Sequence, residues 1–183
     1  MREPRRTGFV DESYGRDPAG RLVYVLGLVE IRDGADDLRA ALRELPRTRG
    51  GVLHFANEDD GRRVGLAKAV GQLGVELTAV VRRGGDSLSR ARAIGLTTIA
   101  WSRQDGLDRL EIESRGPKPD RADARLMAAL HPPARRIPVR FPGKAEDPLL
   151  WVADILASAT FQALARAEPR YLEALGPVGR IDC

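Results

Sequence analysis

The amino-terminal part of the chain contains a short run of strand-forming residues with two adjacent carboxylates, Phe9-Val10-Asp11-Glu12-Ser13-Tyr14. Phenylalanine, valine and tyrosine favour a half-buried β-strand, whereas aspartate and glutamate are depleted there. Because side chains alternate across a strand, Asp11 and Glu12 point to opposite faces. A carboxylate ion buried without a partner is strongly unfavourable. Either a cation such as a divalent metal compensates the charge, or the run is an edge strand with both acids in water.

Length and composition predict one globular domain over residues 1–183. Within it we expect residues 1–7 to form a loose basic arm and residues 168–183 a C-terminal tail. We find no apolar run long enough to span a bilayer and no hydrophobic segment of a signal peptide. We therefore expect a cytoplasmic protein without a membrane partner. The one cysteine, Cys183, excludes an internal disulfide framework and zinc sites built from several cysteines.

The chain is basic, with a net charge of +4 and a pI near 9.7. Nearly all of the positive charge is arginine, because lysine occurs only at positions 68, 118 and 144. Arginine suits the bidentate recognition of phosphates. A GC-rich genome also supplies arginine through codon bias, so the charge alone does not identify a nucleic-acid partner.

Hydrophobic periodicity predicts that strands and helices alternate along most of the chain. We predict strands at residues 9–14, 22–31, 52–55, 75–81 and 107–114, and a short strand or extended segment at 136–141. Helices are predicted at residues 36–45, 59–73, 87–101, 120–130 and 148–167, with Asp120 and Asp123 serving helix capping. The turn-rich residues 15–20 make the first two strands an antiparallel hairpin, and strands separated by helices can run parallel. The fold class is therefore α/β, a mixed sheet with helices on both faces.

The last long helix, residues 148–167, is the most apolar of the chain, and Asp154 lies in its middle. Residues three and four positions away share its face, and they are Leu150, Trp151, Ala157 and Ser158. Capping cannot explain an acid two turns inside a helix. The side chain therefore points toward the core or a cleft, or it pairs with an arginine at the edge of the apolar stripe.

This order of elements, with one acid in the first strand and another in the last long helix, resembles the ribonuclease H-like fold. More specifically, the chain resembles the domain-of-unknown-function family 3800. Three stretches carry the resemblance: the Asp-Glu-Ser strand Phe9-Val10-Asp11-Glu12-Ser13, the apolar strand Tyr24-Val25-Leu26-Gly27-Leu28-Val29, and the helix Leu149-Leu150-Trp151-Val152-Ala153-Asp154-Ile155-Leu156-Ala157.

The resemblance implies that carboxylates from the first strand, a later strand end and the last helix converge on Mg²⁺ or Mn²⁺. In this sequence those positions are Asp11, Glu113 and Asp154, which we expect to be both catalytic and metal-binding. A rival for the middle position is the strand ending at Val81, but no acid follows it until Asp86. The chemistry implied is hydrolysis of phosphodiester bonds at a two-metal site.

Other residues fit supporting roles in such a site. Glu12, His54 and Glu58 are candidates to assist it, although Glu12 can also be an acid on the opposite face and His54 a structural, hydrogen-bonded histidine. Arg82, Arg83 and Arg115 are candidates for substrate binding, together with Arg135 and Arg136, unless these arginines are only solvated. Gly-rich phosphate loops, zinc spacings and a Gly-x-Ser-x-Gly elbow are absent from the sequence.

The leading hypothesis is thus a metal-dependent nuclease or related phosphodiesterase that acts on DNA or RNA. The alternative is a non-catalytic ribonuclease H-like module that binds nucleic acid or a protein partner and keeps the acids as remnants. A small-molecule enzyme on this fold is a third possibility. Binding of Mg²⁺ or Mn²⁺ separates the first hypothesis from the second.

Overall fold

A computed structural model describes residues 6–32, 35–45, 51–85, 87–104, 106–130, 132 and 136–183. Its centre is a sheet of six strands in the order β5-β4-β1-β2-β3-β6. The strands are β1 Thr7–Arg16, β2 Leu22–Ile31, β3 Glu76–Gly84, β4 Arg109–Ile112, β5 Val139–Arg140 and β6 Gly179–Asp182. The helices are α1 Ala35–Glu44, α2 Asp60–Gly71, α3 Leu88–Ser102, α4 Pro117–Leu130, α5 Leu149–Ala165 and α6 Arg170–Leu175, and a 3₁₀ turn lies at Phe55–Asn57.

The hairpin predicted at the start of the chain is confirmed. β1 and β2 pair antiparallel over their full lengths, with Asp11 opposite Gly27. The turn between them is held by Asp17, whose Oδ1 accepts hydrogen bonds from the backbone N–H groups of Ala19 and Arg21, both at 2.9 Å. β1 also pairs parallel with β4. β1 is therefore an interior strand, which excludes the edge-strand arrangement for its two acids.

The direction of β3 differs from the prediction that strands separated by helices run parallel. β3 is antiparallel to β2, with Glu30 opposite Glu76. The connection between them contains two helices, α1 and α2, rather than one crossover helix. The chain therefore returns to the end of the sheet that it left, and an antiparallel neighbour is the result. β4 runs parallel to both β1 and β5, as predicted for the later strands.

The sheet is covered on both faces, which confirms the α/β class. The face with Val10, Tyr24 and Leu26 packs against α3 and α4. The opposite face, with Phe9 and Val29, packs against α5, which α1, α2 and α6 cover in turn. α5 is apolar on all sides because it lies between the sheet and this outer layer. Among the described residues, no helix has the length and apolarity needed to cross a membrane.

Several element boundaries differ from the sequence prediction. Residues 52–55 do not form a strand but lead into the 3₁₀ turn, and the strand predicted at 107–114 is limited to β4, so that Glu113 directly follows it. Residues 168–183, expected as a tail, contain α6 and β6, and β6 pairs parallel with β3. Of the basic arm, residues 1–5 lie outside the described residues, and Thr7 already belongs to β1.

Close contact between α5 and the sheet depends on Gly27 in β2. A Cβ atom at this position would lie 2.5 Å from the carbonyl oxygen of Ala153 and 2.9 Å from the amide nitrogen of Ala157. Both atoms belong to the α5 backbone, so no side-chain rotation relieves the overlap. Gly27 therefore sets the distance between α5 and β1–β2, and with it the height of Asp154 above Asp11.

We predict that Gly27→Ala destabilises the protein by about 1–3 kcal/mol or more, because the helix has to move away from the sheet. The matched control is Gly65→Ala in α2, where an added Cβ meets no atom within 4 Å. This control should gain roughly 0.5–1 kcal/mol from helix propensity. Urea unfolding of both variants measures the two effects, and equal stabilities would contradict the packing described.

Candidate active site

Strand pairing places Asp11 and Glu113 side by side. In the parallel pair of β1 and β4, Val10 is opposite Ile112, and the N–H of Glu113 donates to the carbonyl oxygen of Val10 at 2.9 Å. The next residue on β1 is Asp11, which is 2% exposed. Two carboxylates from neighbouring strands thus reach the face that α5 covers, at the carboxyl end of β4.

Helix α5 brings Asp154 to the same place. Its Oδ2 accepts a hydrogen bond from the backbone N–H of Phe55 at 3.0 Å, and its Oδ1 accepts one from Ser158 Oγ at 3.4 Å. The first bond joins α5 to the 3₁₀ turn. Asp154 is buried, as its position on the apolar stripe predicted, and its cationic partner is a lysine rather than an arginine.

That lysine is Lys144, and its ammonium lies at the centre of the three acids. Lys144 Nζ is 2.8 Å from Asp11 Oδ2, 3.3 Å from Asp154 Oδ2 and 3.6 Å from Glu113 Oε1. His54 Nδ1 lies 3.4 Å from the same nitrogen. The side chain of Lys144 is only 7% exposed. Asp11, Glu113, Asp154 and Lys144 together are called the carboxylate cluster below.

Sequence reasoning missed Lys144. One signal was available, because it is one of three lysines among 30 basic residues and stands in a turn just before the helix that carries Asp154. Its backbone is fixed by Trp151, whose Nε1–H donates to the Lys144 carbonyl oxygen at 2.9 Å. No periodicity shows that such a turn folds back over the acids.

Burial dominates the electrostatics of the carboxylate cluster. It raises the pKa of Asp11 to about 8, helped by a hydrogen bond with Glu113 and opposed by the charge of Lys144. Burial also raises the pKa of Asp154, again against the charge of Lys144. For Lys144, burial alone lowers the pKa, but the charges of Asp154 and Asp11 outweigh it and raise the pKa above its ordinary value.

Asp11 Oδ2 is buried and receives no hydrogen bond of good geometry, although it lies at ion-pair distance from Lys144. Three carboxylates thus surround one ammonium, and one oxygen remains unsatisfied by hydrogen bonding. As the side chains stand, the described part of the chain offers no group of three or more histidine, cysteine, aspartate or glutamate ligands to a single metal position. The ammonium of Lys144 takes the centre of the cluster instead.

Glu12 does not join the carboxylate cluster, because it lies on the other face of the sheet. There it accepts hydrogen bonds from Tyr24 Oη and Arg92 Nη1, and Arg115 Nη1 lies 3.6 Å from its Oε1. The structure therefore supports the interpretation of Glu12 as an acid on the opposite face. Asp123 belongs to this second network through Arg92 at 2.8 Å rather than capping a helix.

The structure also places the other supporting candidates at different sites. His54 contacts the carboxylate cluster, as described. Glu58, just before the N-cap Asp59 of α2, instead forms an ion pair with the half-buried Arg62. Asp120 lies within α4 and accepts hydrogen bonds from Ser114 Oγ at 2.6 Å and the Arg115 N–H at 2.9 Å. It thus holds the segment before α4 instead of serving as the N-cap.

The candidate substrate-binding residues Arg82, Arg83 and Arg115 do not line the cluster. Arg115 belongs to the Glu12 network, and Arg82 donates from Nη1 to the carbonyl oxygen of Cys183 at 2.9 Å. Arg83 is opposite Val23, two strands away from Asp11 and four residues along the sheet, which strand spacings convert to on the order of 15 Å. Arg135 and Asp86 lie outside the described residues.

Comparison with known proteins identifies the fold. No protein-family model matches this chain, and neither does any curated protein. Solved structures do match. One is ribonuclease HII of Archaeoglobus fulgidus in its complex with PCNA, which matches with a TM-score of 0.55 and 15% identity. The match covers 91% of this chain and 76% of that one. Ribonuclease H2 of Pyrococcus horikoshii matches with a TM-score of 0.56, 17% identity and coverage of 92% and 75%.

A third match is Bst-RNase HIII in complex with Mn²⁺, with a TM-score of 0.56, 16% identity and coverage of 94% of this chain and 57% of that one. The described strands and helices thus adopt a ribonuclease H-like fold, as predicted. At these identities the similarity concerns the fold alone.

The raised pKa of Asp11 predicts a pH dependence of stability. Between its unfolded value near 3.8 and its folded value of about 8, the folded chain holds a proton that the unfolded chain releases. This contribution to stability is present at low pH and is lost as pH rises through that window, by up to about 1.4 kcal/mol per pH unit. Asparagine does not ionise, so the Asp11→Asn variant does not lose this stability. Its free energy of unfolding relative to wild type should therefore increase from pH 5 to pH 8.

Urea unfolding in the presence of a chelator, at several pH values between these limits, measures this difference. Asp37→Asn, which changes an exposed carboxylate of α1, is the matched control and should follow wild type in parallel. If the curves of Asp11→Asn and wild type are parallel as well, the proton is not held at Asp11.

Proposed function

We propose that this chain is a metal-dependent nuclease or phosphodiesterase that hydrolyses phosphodiester bonds of DNA or RNA. Asp11, Glu113 and Asp154 are the ligands of Mg²⁺ or Mn²⁺ in this proposal. One observation carries it: three acids from β1, the end of β4 and the middle of α5 meet around a single cation position. The chain segments that supply them are far apart in sequence, so the convergence is a property of the fold.

The donor set fits a hard divalent cation. Mg²⁺ and Mn²⁺ prefer carboxylate oxygens and water, and need no histidine or cysteine. The buried Asp11 Oδ2 without a well-oriented hydrogen bond is an available ligand atom. When bound, divalent ions supply charge stabilisation and an activated water for phosphodiester hydrolysis.

The protein's own contribution is to hold Asp11 and Asp154 by hydrogen bonds and away from bulk water. Asp11 lies inside an interior strand, and its Oδ1 accepts the Glu12 N–H at 2.6 Å. Asp154 is oriented by the N–H of Phe55. His54, next to Lys144 Nζ, is placed to orient a water molecule or a phosphate oxygen at the edge of the cluster. A preorganised site of this kind loses little free energy to reorganisation during the reaction.

The comparisons support the proposal at the level of the fold. The matched ribonucleases HII and HIII share the arrangement of strands and helices, and one of them was solved with Mn²⁺. We further propose membership in the domain-of-unknown-function family 3800, on the three stretches of sequence that resemble it. A basic chain with a net charge of +4 suits a nucleic-acid partner.

One observation favours the second candidate, a non-catalytic ribonuclease H-like module. The ammonium of Lys144 already lies where a cation would bind. In such a module Lys144 is the permanent counter-ion of the acids, and the protein binds nucleic acid or a partner protein without hydrolysis. The two candidates predict opposite responses to metal.

For the nuclease, we predict metal-dependent hydrolysis of at least one substrate among single-stranded, double-stranded and hybrid DNA and RNA. Asp154→Asn should reduce the rate by about 10²-fold or more, because the acid contributes directly to charge stabilisation. Mn²⁺ at a hundredfold excess over its Kd should stabilise the wild type by about 2.7 kcal/mol, and Asp154→Asn should lose this gain.

Asp37→Asn again serves as the control and should leave both hydrolysis and metal stabilisation unchanged. Absence of hydrolysis of every substrate, together with no stabilisation by millimolar Mn²⁺ or Mg²⁺, would support the non-catalytic module instead.

A further inference from the structure

We propose that Lys144 is a built-in competitor of the divalent metal: its ammonium occupies the cation position between the acids, and metal binds only when this side chain swings out. The inference rests on the proposed function and adds a regulatory step to the same site. In this view the metal-free protein is a closed state in which the ammonium of Lys144 partly offsets the charge of the acids.

The distances support direct competition. Lys144 Nζ lies within ion-pair range of Asp11, Asp154 and Glu113 at once, at 2.8, 3.3 and 3.6 Å. A metal held by the carboxylate oxygens of Asp11 and Asp154 would need the space at or beside this nitrogen. Two cations cannot share that space, because they repel each other and the metal needs the oxygens that the ammonium contacts.

Burial indicates that Lys144 is present for its charge. Lysine is almost never buried unless it is paired, and this side chain is only 7% exposed. The other two lysines of the chain, Lys68 and Lys118, are exposed on α2 and α4. A counter-ion at this position lets the protein fold before metal arrives, because the three acids would otherwise repel one another.

The backbone around Lys144 is fixed, so the side chain is the part that moves. Trp151 Nε1–H binds the Lys144 carbonyl oxygen, and the carbonyl oxygen of Gly143 accepts the N–H groups of Glu146 at 2.9 Å and Asp147 at 3.2 Å. Asp147 is bound in turn by Arg39 Nη2 at 2.8 Å. A lysine side chain has a flexible four-carbon stem, so its ammonium can leave the acids while this turn stays in place.

Isothermal titration of the metal-free proteins with Mn²⁺ tests the competition. Lys144→Met keeps the length and apolar stem of the side chain but removes the ammonium, and we expect its Kd for Mn²⁺ to fall at least tenfold. Lys144→Arg keeps a cation and should bind no more tightly than wild type. Lys118→Met makes the same chemical change on an exposed helix face and should leave the Kd unchanged.

A second measurement uses the wild-type protein and does not depend on the folding of a variant. Acetylation of lysine followed by mass spectrometry reports the exposure of Lys144, with Lys68 and Lys118 as internal references. We expect Lys144 to be protected in chelator and to become modified in Mn²⁺. Protection that is equal in both conditions, while Mn²⁺ binds, would overturn the inference.

The inference and the proposed function can fail separately. If hydrolysis depends on Asp154 but Lys144→Met binds Mn²⁺ no more tightly than wild type, the nuclease proposal stands and the competition is rejected. If neither wild type nor Lys144→Met binds Mn²⁺, both are rejected. Tight binding by Lys144→Met together with weak binding by wild type supports the competition whatever the substrate is.

Discussion

The structure depends on the neutralisation of buried acids beneath α5. Asp11 and Asp154 are both nearly inaccessible, and they face each other because Gly27 lets α5 lie directly on β1 and β2. Packing of this kind brings like charges together in a medium where their repulsion is strong. Lys144 supplies the opposite charge, and the turn that carries it is held by the indole of Trp151. Helix, sheet and turn are thus joined through one group of charges.

A second group of charges lies on the other face of β1 and provides an internal comparison. There Glu12 and Asp123 are paired with Arg92 and Arg115, so that two acids meet two guanidinium groups. That network is balanced, and it joins β1 to α3 and to the start of α4. The carboxylate cluster, by contrast, has three acids and one ammonium. Adjacent residues of one strand therefore belong to two networks that differ in their ratio of acids to cations.

Sequence reasoning predicted the parts of this arrangement that are coded locally. Aspartate is unfavourable in a strand and on the apolar face of a helix, so Asp11 and Asp154 each depart from the preference of their element. Such departures are expected at functional or strained sites. The α/β class and the hairpin follow from periodicity and turn residues. The direction of β3 could not be read in this way, because it depends on how α1 and α2 pack between the strands.

The position of Lys144 was equally inaccessible to sequence reasoning, since a turn has no periodicity and its partners are set by tertiary contacts. The arginines show the same limit of prediction from the sequence. Arg83 and Arg115 were both candidates for substrate binding, but the sheet places one at the far end of β3 and the other beside Glu12. The order of arginines along the chain does not show whether they cluster in space.

The imbalance of charge bears on the choice between the nuclease and the non-catalytic module. In the network on the other face of β1, Glu12 and Asp123 are matched by two guanidinium groups. Burial of a carboxylate lowers stability at neutral pH, and the pKa of Asp11, which burial raises to about 8, is the sign of that cost. A permanent counter-ion role for Lys144 leaves more carboxyl groups than cations in the cluster. In the proposed nuclease, replacement of the ammonium by a divalent metal would offset this surplus, because the metal carries more charge than the lysine.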